Sequence, residues 1–321
     1  MKDQTLVFHQ NKNVSKPHFM MNGVVNLDKP KGITSHKAVE KVRRALGAKK
    51  AGHAGTLDPL ATGVLLVCVD EATKVGRFLS DLDKEYIATV KLGEKTDTFD
   101  SEGEVIEKSA RFSCEKEDIE RILPGFLGTI EQVPPMFSAV KMGGKPLYKL
   151  ARKGITVERR KRPVTVHEIE ITSFAFPLFE LRVVCSKGTY IRSLCNDIGE
   201  AMGTGAHLTG LTRTRIGDFR IEYSVAVSDT SDIGKAEENT GGPVCVGKMA
   251  MISIDDALRH LRCVTLAERE FRMAKNGFQP ECPDESFLPN EYVRLKSPSG
   301  GLFAIGMVSR GSIKIERVLH I

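Results

Sequence analysis

A single carboxylate, Asp58, stands in the stretch GHAGTLDPLATG (52–63), among small residues and directly before Pro59, with glycines at 52, 55 and 63. His53 precedes it in the same stretch. A lone aspartate has a short list of enzymatic roles: nucleophile, general base or electrostatic stabiliser. Glycoside hydrolysis wants two carboxylates flanking the scissile bond, and the sequence shows no second acid in a comparable setting. A metal site would want more ligands than this stretch supplies, and His36, His53 and His167 lack zinc-ligand spacing. The acid reads as one ion held rigidly at a tight turn, against a cation. Asp-Pro is also ordinary turn chemistry, and Asp58 alone does not separate the two readings.

The elements around it follow from pattern. GVVNLD (23–28) reads as a short strand, KPKG as a turn, and Thr34 or Ser35 as the cap of a helix with Ala38, Val39, Val42 and Leu46 on its apolar positions. GVLLVCVD (63–70) has the length and β-branched content of a buried strand. EATKVGRFLSDL (71–82) reads as a helix, and KEYIATVKLG (84–93) alternates as a strand. EKTDTFDSEGEVIE (94–107) has the look of a calcium loop, but from Asp97 the third position is Phe99 and the sixth is Glu102, which breaks that pattern. A hairpin turn through Asp100, Ser101 and Gly103 fits better. Residues 115–128 read as a helix ending at Gly125 or Gly128, and FELRVVCSKGTYIRSLCNDIGEAMG (179–203) as strand, turn and helix.

With 321 residues the chain suits one large domain, or a large one plus a small one. Lys plus Arg number 47 against 41 Asp plus Glu, and a net charge of +6 favours a nucleic-acid partner only slightly. The seven cysteines form no C-x-x-C pair and read as buried free thiols of a cytosolic protein. No apolar run has the length of a membrane span, and the polar first twenty residues lack the apolar centre of a secretory signal and read as a disordered tail. The polar, Gly-rich segment near 226–246 reads as an exposed insertion.

Five blocks occur in order: NGVVNLDKPKGITSH, AGHAGTLDPLATGVLLV, KEYIATVKLGEKTDTFDSEGEV, VPPMFSAVKMGGKPLYKLARKG and CSKGTYIRSLCNDIGEAMGTGAHLTGLTRTRIG. Together they closely resemble the TruB family, the tRNA pseudouridine-55 synthases, over about residues 22–220. The C-terminal end resembles, more weakly, the PUA RNA-binding module that commonly follows. The resemblance implies isomerisation of uridine to pseudouridine in the T loop of tRNA. The N1–C1′ bond breaks, the uracil turns over and C5 bonds to C1′, with no cofactor and no metal.

By the same resemblance Asp58 is the catalytic acid and Arg192 its ion-pair partner. Tyr86 stacks on the target uracil, and its hydroxyl or a neighbouring water could take the C5 proton. His53 fills the space that the flipped base leaves in the T loop. Lys29 and Pro30 support the active site, and Tyr190 and Leu211 wall the pocket. The basic segment 134–162 corresponds to a thumb whose Lys141, Lys145, Arg152 and Lys153 would contact phosphates. Asp58 could attack C1′, take the 2′ proton to release a glycal, or attack uracil C6.

The implied fold is α/β: a mixed, mainly antiparallel sheet flanked by helices in a catalytic domain (21–255), followed by a small β-rich, PUA-like domain (262–321). The implied protein is a cytoplasmic monomer acting on the T arm of tRNA. Two alternatives stand beside it: a guide-RNA-dependent synthase of the dyskerin type, and an RNA chaperone that folds tRNA by binding alone.

Overall fold

The computed structural model describes residues 22–110, 112–138, 140–155, 157–226, 244–246 and 249–321. The expected N-terminal tail and most of the expected insertion lie outside these residues.

A ten-stranded mixed sheet organises the larger part of the chain. Across its main path the order is Val225–Ala226, Gly23–Lys29, Thr62–Val69, Ala206–Ile216, Lys84–Leu92, Leu178–Cys185, Arg162–Ala175 and Gly128–Gln132. Only two of these pairings are parallel: Gly23–Lys29 with Val225–Ala226, and Thr62–Val69 with Ala206–Ile216. Two further strands attach at the side, Ala51–Ala54 on Thr62–Val69 and Phe219–Arg220 on Ala206–Ile216.

The near-continuous apolar run at 62–69 reflects burial on both faces. Leu65, Val67 and Val69 face a core with Ala38, Val39 and Val42 of the Ser35–Ala45 helix and with Leu194, Cys195 and Ile198 of the Ile191–Ala201 helix. Val64, Leu66 and Cys68 face a second core, shared with Phe78, Leu79 and Ile254 and with Leu302, Ile305 and Leu319 of the C-terminal segment. Thr34 caps the first helix, its hydroxyl accepting from the Lys37 N–H at 3.1 Å. The segment read as one helix over 71–82 divides into a 3-10 turn, Asp70–Lys74, and a short helix, Gly76–Ser80.

Residues Arg262–Thr265, Tyr292–Lys296, Leu302–Ser309 and Ser312–Val318 form a separate four-stranded sheet with its own apolar cluster. It docks through Tyr292, edge-on to Phe78 at 5.0 Å, with the Arg77 guanidinium over both rings. The cysteine reading needs a correction. Cys68, Cys114, Cys185 and Cys195 are buried thiols, but Cys263 is exposed on the strand Arg262–Thr265, where only Val264 is buried, and Cys282, outside the strands, is half-exposed.

One glycine fixes the parallel contact beside the Asp58 loop. Gly63 has φ +96°, and a Cβ there would stand 2.2 Å from the carbonyl oxygen of Arg213. Gly63→Ala would strain its own backbone and push apart the Thr62–Gly63 and Thr212–Arg213 pairing. We expect a loss of at least ~2 kcal/mol, read as a lower urea midpoint with unchanged slope.

Candidate active site

Asp58 lies in the loop between Ala51–Ala54 and Thr62–Val69, and this loop is pinned from every side. The Ser35 hydroxyl accepts from the Leu57 N–H and donates to the Leu57 carbonyl, both at 2.8 Å. The Gly32 N–H donates to the Pro59 carbonyl at 2.8 Å, and the Ala61 N–H to that of Asp58 at 3.1 Å. Lys29, fully buried at the end of its strand, donates from Nζ to the carbonyls of Pro30 and Ile33 at 2.9 Å and approaches that of Pro59 at 3.5 Å. Burial pulls the Lys29 ammonium down to about 8, with Asp58 the chief opposing charge.

From the opposite side the Arg213 guanidinium, 1% exposed, donates to the carbonyls of Val64 at 2.7 Å, Gly55 at 3.0 Å and Thr56 at 3.4 Å. A carboxylate on a turn is ordinarily mobile. Here the turn is held by side chains from three separate elements, which fixes the position of the acid.

The cation opposite Asp58 is Arg192, the second residue of the Ile191–Ala201 helix, with Nε 2.9 Å from Asp58 Oδ2. The same guanidinium reaches Asp100 Oδ2 at 3.2 Å, the Thr98 carbonyl at 3.3 Å and the Phe137 carbonyl at 2.7 Å. The sequence shows no second acid in a setting like that of Asp58, yet on the same guanidinium the structure places Asp100. It is buried, and its Oδ1 also accepts from the Thr98 hydroxyl at 2.7 Å and the Glu102 N–H at 3.0 Å. Its turn is tied to the Ala206–Ile216 strand by the Ser101 N–H donating to the Leu208 carbonyl and the Leu208 N–H to that of Phe99. Pattern alone showed a hairpin turn, and only the path of the chain brings that turn beneath Arg192.

Above the pair opens a cavity of about 260 Å³, lined by Asp58, Leu57, Gly55, Thr56, Tyr86, Leu211, Tyr190 and Arg192 together with Lys84, Arg213 and Ser138. The Asp58 side chain is 36% exposed, through this opening, whereas Arg192 is 5% exposed. Burial raises the Asp58 carboxyl above the usual aspartate range; Arg192 pulls it down and Asp100 pushes it up. Burial likewise raises the Tyr86 and Tyr190 hydroxyls.

Tyr86 is on the buried face of Lys84–Leu92, and Leu211 on the neighbouring strand, in register with Ala88. Tyr190 sits at the N-terminal end of the Ile191–Ala201 helix, where the buried Gln132 side chain accepts from its N–H at 3.0 Å and donates to its carbonyl at 3.3 Å. The Ser138 hydroxyl is buried, with no hydrogen-bond partner among the described residues.

The remaining expected residues lie further out. His53 is half-buried on Ala51–Ala54, off the cavity wall, with Nδ1 buried and unpartnered among the described residues, and burial lowers its pKa. Pro30 is exposed. In the segment 134–162 a small hairpin, Lys141–Met142 with Lys145–Pro146, leads into the helix Leu147–Ala151. Lys145, Arg152 and Lys153 are exposed, with Arg152 over the Tyr148 ring at 5.6 Å; the Lys141 side chain is outside those described. Asp100, Arg213, Lys84, Ser35 and Gln132 are the residues that sequence reasoning did not assign to the site, although all five lie in or beside the quoted blocks.

The fold that carries this carboxylate, its bridging arginine and the aromatic-walled cavity also occurs in solved structures. The chain superposes on one titled "Structure of H/ACA RNP bound to a substrate RNA containing 2'-deoxyuridine" with TM-score 0.72 and 26% identity, covering 95% of this chain and 86% of that one. It superposes on a Cbf5-Nop10-Gar1 complex with TM-score 0.73 and 28% identity, covering 94% and 87%.

Residues 43–191 match the TruB family pseudouridylate synthase N-terminal domain, and residues 192–259 the tRNA pseudouridylate synthase B C-terminal domain. The chain is 42% identical over 300 residues to tRNA pseudouridine synthase B of Chromohalobacter salexigens, covering 94% of this chain and 95% of that protein. It is 42% identical over 321 residues to its counterpart in Cupriavidus pinatubonensis, covering 95% and 96%. The chain belongs to the TruB family of pseudouridylate synthases, which are isomerases.

Proposed function

We propose that the chain converts uridine 55 in the T loop of tRNA to pseudouridine, acting alone on the RNA. The observation that carries this reading is the Asp58–Arg192 pair at the floor of a cavity walled by Tyr86, Tyr190 and Leu211. A base inside a folded loop must leave its stack to meet that carboxylate, at a cost of a few kcal/mol. Stacking on Tyr86 returns ~1–3 kcal/mol of it. Asp58 is the catalytic acid and Arg192 keeps it ionised; Tyr190 and Leu211 hold the edges of the base, and Lys29 and Pro30 support the loop. His53, off the cavity wall, faces the RNA and takes the place of the flipped base. Lys141, Lys145, Arg152 and Lys153 in the thumb hold phosphates, and the sheet at 262–318 is a PUA-like module that adds RNA contact at a distance.

Action on free tRNA, rather than in a guide-RNA particle, is supported by the weight of similarity. The relatives matched at 42% over nearly the full chain carry tRNA in their names, whereas the particle proteins match at 26–28%. A cytoplasmic monomer fits this role, and no helix among the described residues is long and apolar enough to cross a membrane.

The test uses unmodified tRNA transcript tritiated at uracil C5, mixed with purified protein without metal or nucleotide. Release of one tritium per tRNA, mapped to position 55, is the expected result. Binding without release would move the assignment to a guide-dependent enzyme or a chaperone.

A further inference from the structure

Every route open to Asp58 transfers a negative charge from its carboxylate to the base. Attack on C1′ forms a sugar ester, breaks the N1–C1′ bond and sends its electron pair out with N1 as a uracil anion. Removal of the 2′ proton forms a C1′–C2′ double bond and expels the same pair with N1. Addition to C6 forms a bond from the carboxylate oxygen to C6 and moves the C5–C6 π pair onto C5 and O4; the N1–C1′ bond then breaks, its pair leaving with N1. Closure reverses the transfer: C5 bonds to C1′, Asp58 regains its charge or returns its proton, the C5 proton leaves and N1 gains one. With the base stacked on Tyr86 as proposed, the developing charge lies on Tyr86's side of the cavity whichever route operates.

The cavity carries cations there. At its floor one guanidinium serves two carboxylates, Asp58 and Asp100. On the base side Lys84 and Arg213 line the wall beside Tyr86, 5% and 1% exposed, and neither forms an ion pair among the described residues. The acids nearest Lys84 are engaged elsewhere, Asp81 with Lys187 at 2.7 Å and Asp83 with His167 at 3.3 Å. The other groups facing it are Arg213 and the Cys185 thiol, which burial keeps neutral.

The two side chains converge on Gly55, where a Cβ would lie 3.5 Å from Arg213 Nη1 and 3.9 Å from Lys84 Cε. Lys84 Nζ donates to the carbonyls of Ser80 and Leu82. Neutral donors could hold those carbonyls. Two buried cations without counterions are expensive, and a structural role alone does not require them. Burial pulls Lys84 down to about 8, which leaves it mostly protonated at neutral pH, and an arginine stays protonated throughout.

We infer that Lys84 and Arg213 form an anion-stabilising wall for the detached uracil, complementary to the Asp58–Arg192 pair at the sugar. This rests on the proposed function. It is electrostatic preorganisation at the site where charge appears.

The test is single-turnover tritium release from T-loop RNA carrying uridine or 4-thiouridine at the target, with wild type, Lys84→Gln and Lys84→Arg. The Gln amide can still donate to Ser80 and Leu82 but carries no charge, and sulfur spreads the charge of the leaving base. On uridine we expect Lys84→Gln to slow release by about 10²-fold and Lys84→Arg to recover within about tenfold of wild type. RNA affinity should be unchanged, and the Lys84→Gln deficit should shrink on 4-thiouridine. An equal deficit on both bases, a deficit confined to affinity, or none at all overturns the inference while the function stands. A wild type that releases no tritium from T-loop RNA overturns the function and the inference with it. If Lys84→Gln does not fold, Arg213→Gln takes its place in the same comparison.

Discussion

Asp58→Asn is expected to lose C5 tritium release by at least ~10³-fold, yet to bind RNA and to be no less stable than wild type at neutral pH. The chemical loss follows from the cavity. Asp58 is the acid that opens into it, while Asp100 is enclosed beneath Arg192. The stability claim follows from the sign of the shift. Burial raises the Asp58 carboxyl above its ordinary value of 3.8, so the folded protein holds that proton more tightly than the unfolded chain does. As pH rises past 3.8 the unfolded chain ionises first, and the fold loses stability until its own, higher pKa is passed. Above pH 3.8 the fold therefore bears a cost of ionising Asp58 that the unfolded chain does not. Asparagine never ionises, and Asp100 remains to pair Arg192. Urea midpoints from pH 4 to pH 7.5 should therefore fall less in the variant than in wild type. A variant with activity within tenfold of wild type would remove Asp58 from the chemistry. One markedly less stable at pH 7.5 would show instead that the Arg192 pair outweighs the burial cost.

The parts of this site that pattern revealed are those whose neighbours in sequence are also their neighbours in space. The Asp58 turn, the Thr34 cap and the alternation that buries Tyr86 can be read from a dozen residues each. The strands were legible because the run at 62–69 is nearly all apolar and that at 84–92 alternates. Asp100 was not legible as a site residue. A Thr-x-Asp turn with glycine nearby looks the same whether its carboxylate faces water or a guanidinium, and Arg192 is 92 residues away along the chain. Arg213 was hidden for a related reason. In LTRTRIG four polar residues run in succession, and nothing local says that one of the two arginines turns inward to hold the carbonyls of Gly55 and Thr56. The exposed Cys263 shows the reverse case: residue type alone suggested burial, but on the strand Arg262–Thr265 only Val264 is buried.

Replacing Arg192 by methionine is expected to cost ~3–5 kcal/mol in addition to abolishing activity, because it strands two carboxylates rather than one. The guanidinium satisfies four acceptors from three parts of the chain: Asp58, Asp100, the Thr98 carbonyl and the Phe137 carbonyl. Methionine matches its length and none of its donors. With the cation gone, two like charges are left without their shared partner, and the folded state relieves them by taking up protons. The destabilisation should accordingly be largest near pH 7.5 and shrink as pH falls toward 4, measured as urea midpoints of variant and wild type across that range. Arg192→Lys separates charge from geometry. One ammonium can neutralise Asp58 but cannot reach all four acceptors in a fixed fork, so it should recover part of the stability and little of the rate. Adding Asp58→Asn to Arg192→Met removes one of the stranded charges and should return part of the lost stability at pH 7.5 with no return of activity. If the double variant is no more stable than Arg192→Met alone, the two carboxylates do not compete for one cation, and Asp100 belongs to the turn rather than to the site.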